Sequence, residues 1–174
     1  MIGRRRRESG DLVDALMECH ARVRSCSRLA VEIGERADAP ADEVAYACAR
    51  VERYFTEALP LHVRDEEESV LPRLRGRTAS LDAALEQIHE QHDLHARLIE
   101  RTCAAAAALR AKPLKAAARK ALVMVARPLE VLFESHLRVE EAVIFTAIRA
   151  HLPTETQNDI ADEMRRRRRH LHRW

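Results

Sequence analysis

The chain has 174 residues, 47% of them hydrophobic and 33% charged, with a formal net charge of +2. This length and mixture give one domain with a core of its own, exclude a disordered chain, and exclude whole-surface electrostatic binding of nucleic acid. Four Gly, six Pro and 3% aromatics leave too little turn chemistry for a many-stranded β protein, and the remainder favours helix.

The predicted helices follow in chain order. Segment 11–36 opens after Ser9-Gly10 with Asp11 as its cap, and its apolar stripe runs through Leu12, Leu16, Cys19, Val23, Ala30 and Val31. Pro40 breaks the pattern and Asp42 caps segment 43–75, whose stripe runs Val44, Cys48, Val51, Phe55, Leu59, His62, Glu66 and Val70. Pro60 is expected to kink or restart this helix, and Pro72 to loosen its last turn. After Gly76-Arg77-Thr78, segment 79–111 carries Leu81, Leu85, Ile88, His92, His95 and Ile99 on one face. Lys112-Pro113 separates it from segment 114–151, which carries Leu122, Val125, Leu129, Phe133, His136, Glu140 and Ile144, with a kink expected at Pro128. Leu152-Pro153-Thr154 starts a fifth segment, 155–172.

No segment alternates with a period of two. The expected fold is all-α: an up-down-up-down four-helix bundle over 11–151 with an additional C-terminal helix over 152–174, preceded by an Arg-rich disordered tail over 1–10. No apolar run reaches the ~18 residues of a membrane span, and the start of the chain lacks the apolar segment of a secretory signal. Cys19, Cys26, Cys48 and Cys103 are scattered without a CxxC, as in a reducing compartment. The chain is therefore expected to be cytoplasmic, with no membrane partner.

Each of the four main stripes carries ionisable residues where a core residue belongs. These are His20; His62 and Glu66; His92, flanked by His89 and His95; and His136 and Glu140. Burying six such groups is costly unless a cation uses them as ligands. The spacing supports that reading. His62-Val-Arg-Asp-Glu66 and His136-Leu-Arg-Val-Glu140 are both H-x-x-x-E, which puts an imidazole and a carboxylate on one helical face. The two stretches align without a gap, and Glu67 and Glu141 follow the two glutamates at matching places. Those two lie ~100° off the stripe and are read as outer or surface groups rather than ligands.

With His20, His62 through Pro72, Gln91-His92-Asp93 and His136 through Phe145, the chain resembles the hemerythrin-like HHE cation-binding domain family over roughly residues 11–151. The resemblance implies a non-haem centre of two iron ions, oxo- or hydroxo-bridged, inside the bundle. It implies His20, His62, His92 and His136 as terminal ligands and Glu66 and Glu140 as bridges. The family's dioxygen carriers add a fifth histidine through an H-x-x-x-H pair on the third helix. Here Ala96 and Ile88 stand four residues either side of His92, and His89 or His95 could substitute only by a change of register.

Six donors of this kind suit iron, with manganese as the alternative, and four imidazoles disfavour magnesium and calcium. The missing fifth histidine favours a reactive centre over a carrier, with peroxide, dioxygen or nitric oxide as ligands and an external electron donor. A sensing or binding module and iron storage are the competing classes. Tyr46, Tyr54 and the cysteines read as core filler. Arg165 through Arg169 reads as a solvated helix end stabilised by the helix dipole, or else as a docking patch for an acidic protein partner or nucleic acid.

Overall fold

The computed structural model describes residues 11–169; the expected N-terminal tail lies outside them, as do residues 170–174. Five helices make up the described chain. α1 is Leu12–Glu35. α2 runs on from Ala41–Arg53 through Leu59–Asp65 to Leu71–Leu74, its α-helical stretches joined by π turns at Tyr54–Ala58 and Glu66–Val70. α3 is Ala79–Ala111. α4 runs from Ala116–Val139 through a π turn at Glu140–Ile144 to Phe145–His151. α5 is Thr154–Arg168.

The α-helical stretches of α2 restart at Leu59 and Leu71, each one residue before a proline. Pro60 and Pro72 each stand at the second residue after a π turn, and α2 continues through both. A proline inside an α-helix has no N–H to donate and crowds the carbonyl four residues back. A π turn, in which Leu59 N–H reaches Tyr54 O and Leu71 N–H reaches Glu66 O, absorbs that misfit without breaking the helix. Pro128 lies inside Ala116–Val139 and leaves that helix unbroken.

Asp11 occupies the expected N-cap position of α1, but its side chain makes no cap bond and pairs with Arg149 across 3.7 Å; Asp42 is corrected, because Pro40 occupies the cap position of α2. Thr78 does cap α3, its hydroxyl accepting from Leu81 N–H at 3.2 Å. Just before it, Gly76 turns the chain with φ +76°, where a side chain would be strained. Tyr46, expected in the core, is exposed.

α1 packs on α4 and α2, and α3 on α4 and α2. The α1–α4 contact is close at Gly34, where a Cβ would come within 2.5 Å of Val123 Cγ2 and 2.9 Å of Arg119 O. Buried Arg119 reaches across from α4 and donates to the carbonyls of Ile33, Arg36 and Ala39, which ties down the end of α1.

The core falls into two apolar clusters. One holds Val23, Val51, Phe55, Leu59, Leu129, Phe133 and Leu137; the other holds Leu16, Val70, Leu85, Ile88, Ile144 and Phe145. Along each main helix the ionisable stripe residues fall between the two clusters. α1 and α3 run from the second cluster to the first, and α2 and α4 run the other way.

The C-terminal arginines are not simply solvated. Arg167 and Arg168 turn inward and bind Asp65, which has no exposed surface, at 2.9 and 2.5 Å. Arg167 also donates to Ser69 Oγ at 2.7 Å. α5 is thereby fastened to α2 beside Glu66.

Candidate metal centre

The four imidazoles point their Nε2 atoms into the space between the apolar clusters. His62 Nε2 lies 3.3 Å from Glu66 Oε1, and His20 Nε2 lies 3.7 Å from that oxygen and 3.2 Å from Glu140 Oε2. On the other side, His136 Nε2 lies 3.1 Å from Glu140 Oε1, and His92 Nε2 lies 3.4 Å from Glu66 Oε2 and 3.8 Å from Glu140 Oε1. Glu66 therefore faces His20 and His62 with one oxygen and His92 with the other, and Glu140 faces His20 with one and His92 and His136 with the other. The donors form two groups that could each hold an ion: His20, His62, Glu66 and Glu140, and His92, His136 and Glu140.

Opposed charges outweigh burial here. Burial by itself would lower His20 and His92, but the two carboxylates raise them to about 10 and about 11. Burial and mutual repulsion would raise Glu66, yet the surrounding imidazoles hold it below the usual carboxylate range; Glu140 is held well below it in the same way, against its own burial. His62, almost wholly buried, is pushed down by desolvation.

A metal fits this donor set. His20 Nε2, His92 Nε2, both oxygens of Glu66 and Glu140 Oε2 are buried with no hydrogen-bond partner. Unsatisfied polar groups inside a core are rare and expensive. Five of them facing one another are the donor set that a bound cation would satisfy.

Outer partners fix the rings. His20 Nδ1–H donates to Glu141 at 2.9 Å, His92 Nδ1–H to Glu67 at 2.7 Å, and His136 Nδ1–H to Gln91 at 2.7 Å. Such bonds leave the Nε2 lone pair aimed at the ion. Glu141 is in turn held by Arg24 at 2.7 and 3.2 Å, whereas Glu67 is held by half-exposed His89 at 3.0 Å. The sequence placed Glu67 and Glu141 off the stripe but could not say what they touch. Arg24 and the orienting role of Gln91 carried no sequence signal, because both lie outside the repeated motif.

Of the three histidines on α3, only His92 reaches the donors. His89 faces outward onto Glu67. His95 is buried against Phe133 and His136, at ring distances of 5.2 and 4.8 Å, and burial beside His136 and His92 lowers it to about 4. His95 lines a cavity of about 30 Å³ with His62, Glu66, His92 and His136, closed elsewhere by Val23, Leu59, Val63, Ile99, Phe133 and Leu137.

Among the described residues no helix is long and apolar enough to cross a membrane. No curated protein matches the chain. The family model of the hemerythrin HHE cation-binding domain matches residues 11–148. That span contains every donor described above. With the two H-x-x-x-E motifs meeting in one buried cluster, the chain belongs to the hemerythrin HHE cation-binding family and carries a His/Glu metal-binding centre.

Proposed function

We propose that the protein is a non-haem di-iron protein, built on an up-down-up-down four-helix bundle, that binds and reacts with peroxide, dioxygen or nitric oxide in defence against oxidative or nitrosative stress. The observation that carries this reading is the division of Glu66 and Glu140 between two imidazole pairs. With its oxygens facing imidazoles on both sides, each glutamate would help to hold both of two ions. The opposite directions of neighbouring helices relative to the two apolar clusters support the bundle topology.

His20, His62, His92 and His136 would hold the ions, and imidazole with carboxylate suits iron first and manganese second. Two bound iron ions would supply redox equivalents and positions open to a small ligand. The chain supplies the rest. Glu141, Glu67 and Gln91 hold three rings in place. Leu59, Phe133 and Leu137 keep bulk water from the cavity. About 30 Å³ is roughly the room of one water, which suits a diatomic molecule or peroxide and no larger substrate.

Iron-loaded protein is expected to hold close to two irons per chain. Its ferrous form should oxidise promptly in air, and its ferric form should decompose hydrogen peroxide. Less than one transition metal per chain after iron loading would refute the reading. A long-lived oxygenated spectrum that reverses under vacuum would make the protein a carrier instead.

One observation favours sensing as a second reading. Arg167 and Arg168 bind Asp65, the residue before Glu66, so a change at the centre could be passed to α5. Proteolysis rates at the C-terminal helix that differ between metal-loaded and metal-free protein would support it, and equal rates would remove it.

A further inference from the structure

One buried imidazole at the centre is left without a task. His95 is 4% exposed, yet it has no hydrogen-bond partner among the described residues, whereas His20, His92 and His136 all have one at Nδ1. It stands outside both groups of converging donors. Its ring stands T-shaped against those of His136 and Phe133 and lines the small cavity. That cavity touches His62, Glu66, His92 and His136 but neither His20 nor Glu140, so it lies to one side of the donors, toward the first apolar cluster.

We propose that His95 is the hydrogen-bond donor of the ligand cavity: it stays off the metal and offers a ring N–H to an acceptor atom of a small ligand held there. The inference rests on the metal-binding reading above. Every other group lining the cavity is an apolar side chain or one of the converging donors. His95 is thus the one polar group of this wall outside the converging donors, and its ring nitrogens are not among the buried atoms left without a partner, as fits an imidazole that opens onto the cavity. An imidazole carries an N–H in both of its protonation states, so the role is independent of its titration.

The test uses azide as probe on iron-loaded ferric protein, comparing wild type with His95→Leu, His95→Phe and His95→Gln. Phe keeps the ring against Phe133 without the N–H, and Gln restores a donor. All variants are expected to hold the wild-type amount of iron. Azide should bind about tenfold more weakly to the Leu and Phe variants, with most of the affinity recovered in Gln, since a hydrogen bond to a charged acceptor is worth at least that much. The azide infrared stretch should shift with the loss of the donor. Metal-free His95→Leu should melt no lower than wild type, because no protein partner is lost. Loss of iron in well-folded Leu and Phe variants would make His95 a ligand and overturn the proposal. So would azide affinity and stretch unchanged in both. Wild-type protein that takes up no iron would instead overturn the metal-binding reading on which the proposal rests.

Discussion

In the half of the protein made by α1 and α2, His20, His62 and Glu66 point inward; in the half made by α3 and α4, His92, His136 and Glu140 do the same. A π turn begins at the glutamate in both, at Glu66 and at Glu140. Only the first is followed by a proline, Pro72, where the second half has Thr146. The second π turn therefore owes nothing to proline, and both coincide with a glutamate of the centre, where such turns often occur.

The halves diverge one layer out. His136 has Gln91 on its outer nitrogen, while His62 Nδ1 is buried without a partner. Glu141 is locked by the fixed charge of Arg24, while Glu67 is held by the half-exposed His89. Asp65 of the first half receives two arginines from α5, and the matching residue of the second half is Val139, packed against apolar neighbours. The lesson is that the cation constrains the inner donors alike, while each half can arrange their support separately. The support also crosses between halves, since Glu67 of α2 holds His92 of α3 and Glu141 of α4 holds His20 of α1.

The equivalence of the halves is broken most severely at the glutamates. Glu66→Ala and Glu140→Ala should each lose most of both metals, and to the same degree, as measured by metal per chain. Thermal stability should fall with the metal, because an ion bound only to the native state adds to folding free energy. If one variant kept a full metal complement, the shared-carboxylate geometry would be wrong.

The next largest effect belongs to the first half only. Replacing Arg167 and Arg168 together by Ala strands the buried Asp65 carboxylate, at a cost of about 3–5 kcal/mol. Denaturant unfolding measures it. Val139→Ala, at the matching place, should cost less, because it leaves no stranded charge.

Outer carboxylates should give a graded contrast. Glu67→Gln and Glu141→Gln are expected to weaken metal binding by about 10- to 100-fold, with metal content intact at saturation. Glu141→Gln should be the more severe, because it also removes the ion pair of Glu141 with Arg24, leaving that guanidinium only Glu134, whereas His89 can turn to water. Competition with a chelator gives both affinities.

The mildest effect is a pH dependence that treats the halves alike. In metal-free protein His20 and His92, one from each half, are raised to about 10 and about 11, so both are protonated at neutral pH. Metal must displace those protons, and about two should be released per chain on loading, read from binding heats in buffers of different ionisation enthalpy. Affinity should fall as pH falls. For folding of the metal-free chain the signs are opposite for the two residue types. Raised histidines stabilise fully below their ordinary 6.5 and lose that contribution as pH rises through 10 to 11. Depressed glutamates stabilise above their ordinary 4.5 and lose it as pH falls. His62 and His95, lowered by burial, act the other way from the raised histidines and lose stability as pH falls below 6.5, so metal-free protein should be most stable near pH 6.5.

By itself the sequence determined the helical character of the chain and the inward set of imidazoles and carboxylates. Both are matters of period: residues three or four apart share a face whatever the helix packs against, so His62 with Glu66 and His136 with Glu140 were legible as pairs. The repeat also marked Glu67 and Glu141 as matching residues. Only the tertiary structure decided what those two hold, which of His89, His92 and His95 reaches the donors, and that Asp65 draws Arg167 and Arg168 inward. Each of these depends on the rotation and height of one helix against another, which no local pattern carries. The prolines make the same point. Sequence gives the lost hydrogen bond at Pro60 and Pro72, but whether the helix kinks or widens into a π turn depends on the neighbours that hold α2 in line.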